Sequence, residues 1–284
     1  MVGCNITGAD NANHLFGWKR GVVLDFPFSC EIENCLIYGK WTGGLKMPSD
    51  FTSDIGVYVP DQSVRTLVNV AIKGTRIFGF QTASLIYNVE GVDFDGNDLQ
   101  VDYDGLVIEN TISPVNQYRI RGNHIGVTGR HIAVKNARQV LLTANEISYR
   151  SGRTDGGSVD LIHFDSVYSS SVTGNSIRGN VFNDTDVVIN AITLTATLAA
   201  PQLPLTSDVA IAANNFQNRP LIVGRRPQNQ TMRARPAPRD RGGFWRCPME
   251  LHEIAGQGCR DSELTVNPDR LLAINGPLDC GGAV

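Results

Sequence analysis

Long apolar runs are missing from this 284-residue chain. Nothing approaches the roughly 20 apolar residues that cross a bilayer as a helix. A basic segment followed by an apolar core is also missing from the opening MVGCNITGADNANHLFGWKR, so no secretory leader is expected and folding in a cytoplasm is. In that compartment the six cysteines are expected as thiols. Charge is scarce too: 19% of residues are charged and the net charge is −3. That balance argues against a nucleic-acid binder, which needs a basic surface. Helix-favouring runs are few, while Val, Ile, Asn, Gly, Ser and Thr are frequent, and this composition favours strands and turns.

What the chain does have is a repeat. The pattern apolar, any, small, Asn-like, any, apolar appears as FDGNDL, IRGNHI, LTANEI, VTGNSI and IAANNF, with degenerate copies MVGCNI, IENCLI and IKGTRI. The fourth position of these eight copies falls at residues 4, 35, 75, 97, 123, 145, 175 and 214. A second marker, an apolar run ending in Asp or Asn, falls at Asp25, Asp61, Asn88, Asn110, Asn136, Asp165 and Asn190. The step from slot to marker is 13 residues three times running (75 to 88, 97 to 110, 123 to 136), and 21, 26, 20 and 15 elsewhere. A constant scaffold with tolerated insertions has this signature.

A coil of about 22 to 26 residues cannot bury its apolar face alone, so such coils stack. Stacking at about 4.8 Å pairs each strand with its counterpart one turn on, and parallel strands joined by crossovers wind right-handed. The expected fold is therefore all-β, a right-handed parallel β-helix of about eight coils. The small residue before each slot suits a left-handed backbone. Asn97, Asn123, Asn145 and Asn175 should stack into a ladder.

The VTGNSI and IRGNHI coils resemble the repeats of the pectate-lyase-like β-helix superfamily, and of bacteriophage tailspikes within it. The resemblance covers Met1 to Phe216 and implies a fold more than a chemistry, since lyases, hydrolases, epimerases and adhesins share it. It implies a virion-tail attachment protein, homotrimeric and assembled in the host cytoplasm with other tail proteins, that binds bacterial surface polysaccharide and in some members depolymerises it. The alternatives are a lyase or glycoside hydrolase and a non-catalytic virion component. Two departures stand out. The family's usual Gly-Asp-Gly opening with its capping helix is missing from the first residues, as are the paired-aspartate and Gly-His-Gly motifs of polygalacturonases. A shortened spike, or a fragment capped by another chain, is the expectation.

Three regions are expected: a β-helix over residues 1–218, an Arg/Pro-rich arm over 219–241 and a small Cys-containing tail over 242–284. The arm holds seven arginines and one aspartate, a local charge of +6, which leaves −9 for the remainder. It reads as a solvated linker or as a clasp on an acidic neighbour. Cys4 and Cys35 share the slot and should stack one rung apart, as packed thiols or at a spacing close to a disulfide's. Cys247, His252, Cys259 and Cys280 match no strong zinc signature.

Insertions leave one corner of successive coils, at 38–54, 100–104, 126–130, 148–158 and 178–186. Varied loops on a rigid stack are where recognition sits. The candidate catalytic residues are Asp102 and Asp104 of VDYDG and Asp155 of SGRTDGG. They lie about 10 Å apart along the stack, near the carboxylate spacing that glycoside hydrolysis needs. Arg130, His131, Arg153, Trp41 and Tyr149 are the candidate substrate-binding residues, and Trp18 lies on the same wall. A lyase would pair an aspartate base with Arg130 or Arg153. Asp93, Asp95 and Asp98 form an acidic group that suits calcium, or else serve as turn formers and solubilisers. His163, between Ile162 and Phe164, reads as an outward strand residue.

Overall fold

The slot side chains define the architecture. In the computed structural model the backbone amide of each slot residue donates to the slot side chain one coil on. The chain runs Cys4 to Cys35 Sγ (3.4 Å), Cys35 to Thr75 Oγ1 (3.3 Å), Thr75 to Asn97 Oδ1 (3.0 Å), Asn97 to Asn123 (2.8 Å), Asn123 to Asn145 (3.0 Å), Asn145 to Asn175 (3.0 Å) and Asn175 to Asn214 (2.9 Å). Every expected slot is in this ladder, so the sequence period is the structural period.

The structure describes residues 1–6, 17–42, 44, 47–62, 67–150, 157–179, 187–196 and 206–217, with isolated strands at 221–224, 234–235, 249–251 and 272–273. Among them there is no α-helix, and one short 3₁₀ turn spans Pro48–Asp50. Most of the arm and tail, including Cys247, Cys259 and Cys280, lies outside the described residues.

Three walls of parallel strands enclose the core. The first follows each slot: Asn5–Ile6, Leu36–Tyr38, Arg76–Phe78, Asp98–Gln100, His124–Gly126, Glu146–Ser148, Ser176–Arg178 and Asn215–Gln217 form one eight-stranded parallel sheet. The second contains Arg20–Val23, Ile55–Val59, Thr82–Tyr87 and Asp104–Glu109, and the third Phe28–Glu33, Leu67–Lys73, Val89–Asp95 and Val115–Arg121. The strands Ile132–Thr143 and Ser158–Thr173 run through both, joining them into one curled sheet. The fold is a parallel β-solenoid.

Inward residues stack by type. Ile37, Ile77, Leu99, Ile125, Ile147 and Ile177 line the first wall, and Ile32, Ile72, Phe94, Ile120, Leu142, Val172 and Ile211 line the third, all buried. Each such side chain contributes about 1.5–3 kcal/mol relative to exposure. Similar apolar shapes one rung apart stack in columns.

The residue before each slot holds a positive φ in every coil: Gly3, Asn34, Gly74, Gly96, Gly122, Ala144, Gly174 and Ala213, between 54° and 67°. This tight left-handed corner turns the third wall into the first, which explains the small residues there.

The second marker is one residue adrift at one coil and further adrift at the next. Asn88, Asn110 and Asn136 lie in successive rungs. Next in line is Ser166, since Asp165 pairs with Lys135. Asn190 pairs with Asp160, and Thr195 lies opposite Asp165. Asn88, Asn136 and Ser166 share φ of 52–57°, so the position selects left-handed backbone, which Ser also supplies.

Candidate functional site

Because the first and second walls are each in register, the connections between them leave one corner, as the insertions predict. One such connection includes the described residues 39–42, 44 and 47–54. There Trp41 bridges to Phe51, and its ring covers Gly79, where a methyl group would come within 2.5 Å of the indole Cε3. Gly79 sits at φ 82°, so both the backbone and the indole require glycine.

The corner does not present the expected carboxylates to solvent. Asp102 is 1% exposed. Its Oδ1 accepts the Phe80 amide at 2.8 Å, and its Oδ2 is buried with no hydrogen-bond partner. Burial pushes its pKa well above the ordinary carboxylate value, against the opposing pull of the Phe80 amide and Arg150. Burial therefore favours the protonated form of Asp102. Before it, Val101 is held at φ 65°, a strained conformation for a β-branched residue.

Asp104 is brought to Arg130. Its Oδ1 accepts the Arg130 backbone amide at 2.7 Å, and its Oδ2 accepts Nη2 at 2.7 Å and Nε at 3.2 Å. The fork fixes the loop before the second wall. His131 is fully buried, with Nδ1 3.0 Å from the Gly129 carbonyl and Nε2 2.8 Å from that of Ser148. Burial lowers its pKa to about 4, although both carbonyls favour the charged ring. Tyr149 is 1% exposed and part of the hydrophobic core, so its ring is not on the surface where substrate recognition would require it. Arg153 and Asp155 lie outside the described residues. The arrangement joins Asp104 to Arg130.

A polar network that the sequence did not single out lies on the outer face of the first wall. Period-two alternation turns Asp98, Gln100, His124, Glu146, Ser148 and Arg178 outward while their neighbours face the core. Gln100 Nε2 is 2.8 Å from both Asp98 Oδ1 and His124 Nδ1, and Arg150 Nη2 donates to Gln100 Oε1 at 2.6 Å. Asp98 and His124 are 3.2 Å apart. Two rungs and one rung before Gln100, the outward rings of Tyr38 and Phe78 meet with centroids 5.4 Å apart. The signal was present as alternate outward positions read across coils rather than along the chain.

The acidic group on the third wall holds a cation of the protein's own. Arg121 Nη2 lies 3.0 Å from Asp95 and 3.8 Å from Asp93. His163 does face outward, with Nε2 2.8 Å from Thr195 Oγ1 and Nδ1 3.6 Å from Asp160, whose other oxygen accepts Asn190 and Thr193.

Fold and surface thus define a parallel β-solenoid with a polar, aromatic-edged outer wall. No family model matches the sequence, and no curated protein matches it. Among solved structures, the DFA-IIIase of Arthrobacter chlorophenolicus A6 without its lid, in complex with GF2, aligns with a TM-score of 0.52 at 17% identity, over 75% of this chain and 47% of that one. Another structure of the DFA-IIIase from the same organism aligns at 0.51 and 18%, over 73% and 43%. The chain spans less than half the length of these neighbours. At this identity the likeness is one of fold.

Proposed function

We propose that this chain is a saccharide-binding β-solenoid, a tailspike-like attachment protein that holds bacterial surface polysaccharide along its first wall and the adjoining corner. The observation that carries this reading is the outward network of Asp98, Gln100, His124 and Arg150 near the Tyr38–Phe78 pair. Sugars offer hydroxyls to fixed planar polar groups and C–H faces to aromatic rings, and a rung spacing of about 4.8 Å presents such groups repeatedly to a repeating polymer. That the fold neighbours belong to a carbohydrate-active enzyme supports the substrate class.

Binding is favoured over cleavage by the state of the aspartates. Asp102 is out of solvent and Asp104 is engaged by Arg130. A hydrolase needs two carboxyl groups facing one bond. The depolymerase reading rests on Asp102, whose burial favours the protonated form that a proton donor requires. Assembly as a homotrimer in a virion tail is part of the proposal. It is supported by exposed apolar side chains gathered on the first coils: Val2 (64%), Phe26 (48%) and Phe28 (80%).

Two experiments test it. Purified chain is titrated with bacterial surface polysaccharides; saturable binding that Gln100→Ala weakens at least ten-fold supports the reading, and no binding to any contradicts it. Light scattering of the full chain should give three times the 30.9 kDa protomer mass; a monomer contradicts the trimer.

A further inference from the structure

The strands Ser158–Thr173 and Val188–Thr195 run side by side on the second wall, with Asp160 opposite Asn190, His163 opposite Thr193 and Asp165 opposite Thr195. Phe164 and Leu194 belong to the core, so strand alternation turns His163, Thr193 and Thr195 outward. Three side chains are thereby brought into line. Thr195 Oγ1 lies 2.8 Å from His163 Nε2, and His163 Nδ1 lies 3.6 Å from Asp160 Oδ2. The carboxylate is itself fixed, its Oδ1 accepting Asn190 Nδ2 at 2.8 Å and Thr193 Oγ1 at 2.6 Å. The Thr195 backbone is held as well. Its carbonyl accepts the Thr206 hydroxyl, whose oxygen accepts the Val167 amide at 3.1 Å.

Hydroxyl, imidazole and carboxylate in that order are the parts of an activated nucleophile. With its proton on Nδ1, the ring directs that N–H toward Asp160 and leaves the Nε2 lone pair for the Thr195 proton. Thr193 gives its hydroxyl proton to Asp160 instead. Among the described histidines no other is placed this way. His131 lies between two backbone carbonyls, and His124 meets Asp98 and Gln100 through the same nitrogen. At 3.6 Å the carboxylate acts through its charge, favouring the imidazolium that forms when His163 takes the proton. The His163 and Asp160 side chains are 28% and 23% exposed, and Thr195 is 8% exposed. The hydroxyl is therefore open to a small group that approaches over the imidazole.

We infer that Thr195, His163 and Asp160 form a catalytic site that hydrolyses short-chain carboxylic esters, separate from the first wall and independent of saccharide binding there. Thr195 Oγ1 bonds to the acyl carbon as its proton passes to His163 Nε2. The ester C–O bond breaks, the alcohol leaves with that proton, and the acyl group remains on Thr195. Water then attacks the acyl-threonine ester and gives a proton to Nε2. The carboxylic acid leaves, and the Thr195 oxygen takes the proton back. Thr195 and His163 are the catalytic residues, and Asp160 is a positioning residue that acts through the imidazole.

The test treats the full chain with a fluorophosphonate and, separately, with 4-nitrophenyl acetate. The phosphonate should attach to Thr195 with loss of fluoride, as located by peptide mass spectrometry, and the acetate ester should be hydrolysed with saturation. Thr195→Val, which keeps the side-chain shape, and His163→Ala should each abolish labelling and lower kcat by about 100-fold or more. Thr195→Ser should retain both. Asp160→Asn keeps an acceptor for Asn190 and Thr193, and should lower kcat by about ten-fold or more with KM unchanged. Loss of a merely structural contact would not produce that split. Thermal melting reports whether each variant is folded, and labelling of the parent chain decides the question even where one is not. A parent chain whose Thr195 takes no label, or turnover that survives Thr195→Val in full, overturns the inference. Either result leaves saccharide binding on the first wall standing.

Discussion

Asn123 and Asn145 are joined twice: Asn145 Oδ1 accepts the Asn123 backbone amide at 3.0 Å and its side-chain Nδ2 at 2.9 Å. Asn145 Nδ2 then donates to Asn175 Oδ1 at 2.9 Å and to the Ile120 carbonyl at 3.0 Å. One buried side chain therefore satisfies groups on the coil before its own and on the coil after it. An unmet buried donor costs about 1–3 kcal/mol, so Asn145→Ala should lower unfolding free energy by about 3 kcal/mol or more in urea titrations. Thr75→Asn, which places the ladder's usual residue in a degenerate slot, should cost less than about 1 kcal/mol if the slot accepts it. A small loss at Asn145 would show that the ladder is incidental.

The left-handed corner makes a second prediction, of opposite sign at two equivalent positions. Ala144 sits at φ 56° and Gly122 at φ 65°. An L-residue there costs about 1–2 kcal/mol, offset in part by the greater unfolded freedom of glycine. Ala144→Gly should stabilise by about 0.5 kcal/mol, and Gly122→Ala should destabilise by about 1 kcal/mol. Thermal denaturation of the two variants beside the parent decides it.

His131 predicts an acid-side slope. Its folded pKa of about 4 lies below the ordinary 6.5, so between these values the unfolded chain binds the extra proton. Stability from this group is complete above about pH 6.5 and falls as pH drops toward 4, by up to about 1.4 kcal/mol per pH unit. His131→Asn should remove that component from a denaturation series taken between pH 7 and 4. An unchanged slope would mean that the ring keeps its proton between the Gly129 and Ser148 carbonyls.

Asp102 acts with the opposite sign. Its folded pKa is raised, so the unfolded chain releases a proton that the folded chain retains, and stability declines as pH rises from about 4. Asp102→Asn keeps an acceptor for the Phe80 amide and cannot ionise. It should match or exceed the parent in stability at pH 8 and leave saccharide binding intact. Loss of a depolymerising activity in this variant, with binding retained, would favour the catalytic reading instead.

The period was legible because each slot is a local chemical requirement: a small residue that turns left-handed, then a side chain that caps the next amide. Cys4, Cys35 and Thr75 fit because Sγ and Oγ1 also accept. A second left-handed column was not legible. Ser29, Asn69, Gly91, Gln117, Gln139, Ser169 and Asp208 all hold φ between 51° and 78° within the third wall, yet share no residue type. The burial of Asp102 was not legible for a related reason. At a corner the alternation of strands lapses, so VDYDG gives no sign that Asp102 turns inward to cap Phe80. The network around Gln100 stayed hidden because its members are 2 to 50 residues apart in sequence and adjacent only across rungs.

The most direct test of saccharide binding on the first wall is hydroxyl-radical footprinting of the full chain with and without a bound surface polysaccharide, read at the reactive rings. The account predicts protection at Tyr38, Phe78 and His124, with no change at Tyr58 and Tyr87 of the second wall. Protection confined to Tyr58 and Tyr87, or unchanged labelling of Tyr38, Phe78 and His124 under saturating ligand, would contradict it.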